Sequence, residues 1–293
     1  MKVLITGANS YIGINVENWL KEHGDFAIDS MNMHGDAWKE ADFGQYDSIF
    51  HVAGIAHVDI GDASEDTRQR YYKVNCDMAY ECAEKAKREG VKQFIFTSSM
   101  SVYPGARDCG TRNMITAETK LSPDNFYGES KLKAEMKLNT LRDDNFKIVI
   151  IRSPMVYGKG SKGNYRTLKK LACSLPLFPK IDNERSMLYI ENLCEFVRLM
   201  LVNEEDGLFF PQNDVYTNTA EMIREIAKAH GKKLHVTNVF NPIIKAISHT
   251  KGKYGTLVCK AFGSLTYDMS LSEYKDNYRV CDWVESIRRT EED

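Results

Sequence analysis

Apolar residues in the first half of the chain alternate between short runs and helical spacing. Residues 2–6 form such a run and read as a strand. Ile12, Val16, Trp19 and Leu20 then recur at the spacing of one helix face, and Gly24 stops that helix. Residues 26–28 open a second strand and 48–53 form another. A helix is predicted over about 74–89, with Ala79, Cys82, Ala83 and Ala86 on one face and Gly90 as its stop. A strand at 94–97, a helix over about 127–141 and a strand at 147–151 follow. The segment before Ser48 is too short for a full crossover helix, so a turn or loop is expected there. This rhythm builds βαβ units, and the fold class it predicts is α/β with a doubly wound parallel sheet.

After Pro154 the rhythm weakens. Gly158, Gly160 and Gly163 make a flexible stretch, and helices are expected near 165–173, 191–202 and 219–230. One more strand is expected at 208–211. The last sixty residues read as irregular, with a final helix near 282–289. The expected organisation is a first domain over 1–157, rejoined by the strand near 208–211, and a second, smaller domain mainly over 158–293.

Composition narrows the function. The net charge of −2 argues against a nucleic-acid face, which needs clustered Lys and Arg. Short basic runs such as Lys169-Lys170 and Lys232-Lys233 read as solvated surface. No apolar stretch approaches the roughly 18 residues of a membrane span, so no membrane partner is expected. Residues 1–5 run straight into a glycine motif without a signal-peptide pattern, which points to the cytoplasm. Seven cysteines without a Cys-x-x-Cys pair argue against a disulfide framework, and no His or Cys spacing suggests a metal site.

Thr6-Gly7-Ala8-Asn9-Ser10-Tyr11-Ile12-Gly13 lies between the first strand and the first helix. A turn of this kind lets backbone approach a pyrophosphate, and the helix N-terminus offers N–H groups to the anion. Gly7, Asn9, Ser10, Tyr11, Ile12 and Gly13 are therefore candidate dinucleotide-binding residues. Ser10 stands where a glycine is usual, so its side chain is expected to fit beside the phosphate. An acidic residue normally ends the second strand and binds ribose hydroxyls. Met31 stands there instead, with Asp29 two residues earlier. Loss of the carboxylate removes repulsion against a 2′-phosphate, and His34 and Lys39 are nearby cations. NAD and NADP both remain open.

Tyr127 and Lys131 are four apart on one helix, so they share a face. A neighbouring ammonium is expected to lower the phenol's pKa, letting Tyr127 exchange a proton with a substrate hydroxyl. Thr97-Ser98-Ser99 ends a strand at the carboxyl edge of the sheet, where ligands bind in such folds. Ser99 is the candidate to hydrogen-bond the reacting oxygen, with Ser98 as its nearest competitor.

Taken in order, these pieces resemble the extended short-chain dehydrogenases, the NAD-dependent epimerase/dehydratases. The other pieces are His51-Val-Ala-Gly-Ile-Ala-His57, Asn75 after Val74, Phe-Ile-Phe-Thr-Ser-Ser, and Arg152-Ser-Pro-Met-Val-Tyr-Gly158. The resemblance implies a Rossmann-type domain with a smaller C-terminal substrate domain. It gives Ser99, Tyr127 and Lys131 the catalytic roles, with Lys131 also on the nicotinamide ribose. It places Asp42 and Phe43 at the adenine, Ala53 and Gly54 along the cofactor, and Val156 near the nicotinamide. Lys162-Gly-Asn-Tyr165 and Asn183-Glu-Arg-Ser186 resemble pieces that hold a nucleotide diphosphate, which makes Asn164 and Arg185 substrate-binding candidates. Arginine suits that task because its fork matches phosphate.

The branch resembled is that of bacterial surface-polysaccharide synthesis, including UDP-galactose-type 4-epimerases and 4-keto-sugar reductases. Met155 departs from the asparagine usual in the epimerases, and Lys260 is the one candidate for a later phosphate-binding arginine. Met100 and Ser101 stand where sugar dehydratases carry an Asp-Glu pair, which argues against dehydration. The resemblance implies a UDP-linked sugar substrate and a homodimer formed through helices that include the one bearing Tyr127. Epimerase, reductase and a non-catalytic dinucleotide sensor are the readings left open, the sensor disfavoured because Tyr127 and Lys131 both stand.

Overall fold

The computed structural model describes residues 1–56, 64–106, 109–250 and 252–292, Lys253 by its backbone. His57, which closes one of the quoted motifs, lies outside the described residues. The chain begins with β1 (Lys2–Thr6), α1 (Tyr11–Glu22) and β2 (Ala27–Met31). A 3₁₀ turn at Ala37–Glu40 replaces the crossover helix before β3 (Ser48–His51), as the short spacing predicts. Next come α2 (Glu65–Tyr72), a π-helical turn (Lys73–Asp77) and α3 (Met78–Arg88), which run on as one rod. Then follow β4 (Gln93–Ser99), β5 (Met114–Ile115), α4 (Phe126–Asn139), β6 (Lys147–Ser153) and β7 (Met155–Tyr157).

The second half contains α5 (Asn164–Ser174), β8 (Leu177–Pro179), β9 (Met187–Tyr189), α6 (Ile190–Val202) and β10 (Gly207–Phe209). It continues with α7 (Thr219–Ala229), β11 (His235–Thr237), α8 (Asn241–Ser248), α9 (Lys253–Phe262), β12 (Thr266–Tyr267) and α10 (Trp283–Glu291).

Six strands form one parallel sheet in the order β10-β6-β4-β3-β1-β2. Strands buried on both faces read as unbroken apolar runs, which is why 2–6 and 147–151 were legible. Side chains alternate across the sheet. Val3, Ile5, Phe50, Ile95, Val149 and Ile151 join the core that includes α1 and α6. Leu4, Ile49, Phe94, Phe96, Ile148 and Ile150 join the core that includes α3 and α4. Each such side chain contributes about 1.5–3 kcal/mol by leaving water. The strand order reverses between β1 and β3, so a crevice opens outside their carboxyl ends.

Two stretches depart from the sequence reading. The helix expected from residue 74 begins at Glu65, because residues 65–72 are mostly polar and bury only Tyr71. Ser64 caps it, its Oγ accepting from Thr67 N at 3.3 Å. The irregular tail contains α8 and α9 as well as the expected final helix. Pro242 and Gly252 at their starts break the apolar rhythm, and several of their apolar residues face outward.

Candidate active site

The turn after β1 is set by backbone. Gly7 N and Ala8 N donate to Met31 O at 2.8 and 3.0 Å, tying the turn to the end of β2. Gly7 has φ +95°, and a Cβ there would lie 2.8 Å from Ala53 N, so only glycine fits against β3's exit. Asn9 also takes a positive φ of 68°. Ser10 is the N-cap of α1, and its Oγ accepts from Gly13 N at 3.0 Å. The serine expected beside a phosphate is thus turned inward, where it does capping work that a glycine would not. Among the described residues the N–H groups of Tyr11 and Ile12 have no hydrogen-bond partner. Two free donors at the positive end of a twelve-residue helix, in the sheet's switch-point crevice, fit a pyrophosphate. The Tyr11 hydroxyl is buried without a partner among the described residues, and burial pushes its pKa up.

The other cofactor candidates are spread around this crevice. Met31 ends β2 with its side chain half-buried. Asp29 is committed elsewhere, accepting from Tyr46 Oη at 2.9 Å and lying 3.4 Å from Lys2 Nζ. Asp42 is exposed, whereas the Phe43 ring is wholly buried and its N–H donates to Glu89 Oε2 at 2.8 Å. Gly54 faces α4: a Cβ there would lie 3.1 Å from Asn75 Oδ1 and 3.4 Å from Lys131 Nζ. Val156 sits on β7, immediately past the end of β6.

The three hydroxyls at the end of β4 have separate tasks. Thr97 Oγ1 donates to His51 O at 3.0 Å, and Ser98 Oγ donates to Glu135. Ser99 is the one that acts on the Tyr127 phenol, opposing the rise that burial imposes on its pKa. Ser99 Oγ also accepts from Ser101 N at 3.1 Å, which fixes its rotamer. Asn125 caps α4, its Oδ1 accepting from Gly128 N at 3.0 Å, and so starts the helix just before Tyr127. Gly128 makes the approach possible, because a Cβ there would stand 2.0 Å from Ser101 O.

Lys131, one turn beyond Tyr127, is buried. Its Nζ donates to Thr97 O at 2.8 Å and lies 4.6 Å from the Phe96 ring centroid. Burial lowers its pKa to about 8, although the Glu135 carboxylate partly opposes this. His51 is buried and neutral: burial and the nearby Lys131 charge push its pKa down to about 3, and its Nδ1 pairs with Thr6 Oγ1 at 2.8 Å.

One expectation is corrected here. The Lys131 ammonium was to lower the Tyr127 pKa. Instead burial raises it, with the Ser99 hydroxyl working the other way, while Lys131 Nζ is anchored on the β4 backbone.

Two positioning features lie behind this row. Asn75, in the π-helical turn, accepts from Ile55 N at 2.8 Å and donates to Ile55 O at 3.0 Å and to Ser130 Oγ at 3.1 Å. It joins the loop after β3 to α4, and π turns often mark functional sites. Arg152 forms a buried fork with Glu135, Nη2 lying 2.6 Å from Oε2, and donates to Tyr103 Oη at 2.6 Å. In the sequence Asn75 and Arg152 are motif letters only, because the partners that give them these tasks lie far along the chain. Glu135 was legible only as the next helical turn after Lys131.

The substrate candidates sit in the second half. Asn164 is exposed at the first turn of α5. Arg185 is bridged by its backbone to Thr217 and Leu265, and its guanidinium donates to Lys260 O and, at 3.4 Å, to Gly263 O. It therefore caps the carbonyl end of α9. Cys109 is buried and bridged to Gly263.

A parallel sheet with a glycine turn at its switch point and a Ser–Tyr–Lys row at the carboxyl end of β4 defines a protein of the short-chain dehydrogenase class. Residues 3–210 match the model of the NAD dependent epimerase/dehydratase family, and the chain belongs to that family. A UDP-glucose 4-epimerase of Vibrio cholerae is 29% identical over 290 residues, covering 92% of this chain and 87% of that protein. The N-acetyl-alpha-D-glucosaminyl-diphospho-ditrans,octacis-undecaprenol 4-epimerase of Escherichia coli O157:H7 is 26% identical over 255 residues, covering 79% and 73%. In fold, the dTDP-4-dehydrorhamnose reductase of Bacillus anthracis, solved with NADP, superposes with a TM-score of 0.71 at 20% identity, over 99% of this chain and 98% of that one. Sugar epimerase or reductase chemistry is thus the activity of several of this chain's relatives.

Proposed function

We propose that this protein is an NAD(P)-dependent epimerase that inverts C4 of a UDP-linked sugar in surface-polysaccharide metabolism. The observation that carries the reading is the Tyr127 phenol on α4 beside Ser99, one helical turn from the buried Lys131 that is anchored on Thr97 O, at the sheet edge beside the glycine turn. The two 4-epimerases among its relatives support the choice of C4. NAD or NADP would lie with its pyrophosphate on Tyr11 N and Ile12 N, its adenine by Asp42 and Phe43, and its nicotinamide half along Ala53, Gly54 and Val156. Bound there, it supplies a hydride acceptor and donor. Tyr127 takes the proton of the sugar 4-hydroxyl and later returns it, and Ser99 holds the same oxygen. Lys131 fixes the ribose while staying anchored on Thr97 O. Asn164 and Arg185 hold the diphosphate.

A homodimer through α4 and its neighbours completes the proposal, and the 65% exposure of Met136 on α4 suits such a contact.

A 4-keto-sugar reductase using NADPH is the second reading. Met31 favours it, since no carboxylate there repels a 2′-phosphate. Lys39 weakens it, being held by Asp36 at 3.2 Å and Glu81 at 3.1 Å.

The test is to denature the purified protein and identify the released dinucleotide, then assay sugar interconversion. Retained NAD with UDP-hexose epimerisation supports the first reading. An empty protein that prefers NADPH and reduces 4-keto sugars supports the second. Tyr127→Phe should bind cofactor normally and lose activity; full activity would overturn the site assignment.

A further inference from the structure

The C-terminal third carries a surface that this chemistry does not use. From Ile226 to Tyr267 the chain has seven lysines (228, 232, 233, 245, 251, 253 and 260) and no Asp or Glu, in a protein of net charge −2. Within that stretch α8 and α9 pack on each other and turn apolar side chains outward. Val239, Ile243, Tyr254 and Leu257 are 75%, 61%, 77% and 62% exposed, and Phe240 adjoins them at 40%. Their neighbours Ile244, Val258 and Ala261 pack inward on the core, so the outward set is the second face of each helix and not a frayed end. Lys245 and Lys260 are exposed on the same two helices.

We propose that the α8–α9 face docks on an anionic lipid bilayer. An exposed apolar patch marks an interaction surface. Aliphatic and aromatic side chains flanked by lysine are what an interfacial helix offers to acyl chains and headgroups. Charge decides the occupant. A second copy meeting this face across a two-fold axis would bring Lys245 and Lys260 against their own kind, whereas an anionic leaflet attracts both. The absence of a spanning helix among the described residues is no obstacle, because lying on a membrane requires none. The inference stands apart from the sugar chemistry. α9 nonetheless meets the substrate half directly, through Arg185 on its terminal carbonyls and through the Cys109–Gly263 bridge.

The test is co-sedimentation of the full chain with phosphatidylcholine vesicles and with vesicles that also contain phosphatidylglycerol. Binding only to the anionic vesicles, weakened by salt, is expected. The variant Ile243→Ser/Tyr254→Ser/Leu257→Ser should lower the partition coefficient about tenfold or more, as should the charge reversal Lys245→Glu. Both should keep the wild-type melting temperature and dinucleotide affinity, since the changed side chains face solvent. No pelleting with anionic vesicles at low salt would overturn the proposal, as would pelleting that both variants retain. A wild-type dimer that the serine variant splits, with no vesicle binding by either, would assign the face to a second copy instead.

Discussion

Replacing Arg152 by Met would remove one side of an ion pair that is almost wholly enclosed, with Glu135 2% and Arg152 6% exposed. The guanidinium gives Glu135 contacts of 3.1, 3.2 and 2.6 Å and gives Tyr103 Oη one of 2.6 Å. Its loss leaves a buried carboxylate with Ser98 as its remaining hydrogen-bond partner. Stranding a buried charge costs about 3–5 kcal/mol, which at about 2–4 °C per kcal/mol is a fall in Tm of roughly 6–20 °C. Removing both charges behaves differently, because Glu135→Leu/Arg152→Met strands neither. The double variant should lie within about 1–2 kcal/mol of wild type, giving a coupling energy of about 3 kcal/mol or more. Urea unfolding of the four proteins, followed by circular dichroism, measures this. Additive losses, or a single Arg152→Met change under about 1 kcal/mol, would show that the pair does not clamp α4 to the sheet.

Three further outcomes are expected. The pKa of Lys131 falls from the ordinary 10.5 to about 8 on folding. Below pH 8 the folded state therefore bears the whole cost of burying its charge. Between pH 8 and 10.5 the unfolded chain binds more protons, so wild type gains stability relative to Lys131→Met as pH rises, by about 3 kcal/mol across the interval. A stability difference that stays flat with pH would contradict the assignment. Gly128→Ala would place a Cβ 2.0 Å from Ser101 O, so α4 must retreat; a stability loss of about 1–3 kcal/mol with a fall in kcat is expected, and unchanged kcat would refute the close approach. Ser10→Ala should cost about 1 kcal/mol by thermal unfolding and Ser10→Gly only a few tenths; equal losses would show that the hydroxyl does not cap α1.

The sheet was legible because its strands are buried on both faces and announce themselves as apolar runs. The motif letters at 6–13, 97–99 and 127–131 were legible because glycine, hydroxyl and four-residue spacing each have a physical reason to be there. What escaped was whatever depends on distant partners. Nothing local reveals that Gly128 is required by a carbonyl 27 positions earlier at Ser101, whereas the Ser10 cap on Gly13 N is local and was missed only because the phosphate reading claimed the same hydroxyl. The electrostatic expectation for Tyr127 failed through a distant partner too: helical spacing places Lys131 nearby, but the Thr97 carbonyl decides where its ammonium rests. In the tail, α8 and α9 were missed because outward apolar residues blur the one-face pattern by which helices are read.

The π-helical turn at Lys73–Asp77 amounts to a single extra residue accommodated within a rod that is otherwise α-helical. Deleting one residue there would let the rod regain regular geometry with its two ends in nearly the same phase, because the wider π turn absorbs an extra residue without rotating its flanks. The Tyr71 ring would stay edge-on to Phe126 and Tyr127, but Asn75 would lose the bulged position from which it reaches Ile55 and Ser130. Single-residue length changes are thus forbidden in this rod, while substitutions on its exposed face are free. Among homologous chains the length of this helix should vary far less than its composition.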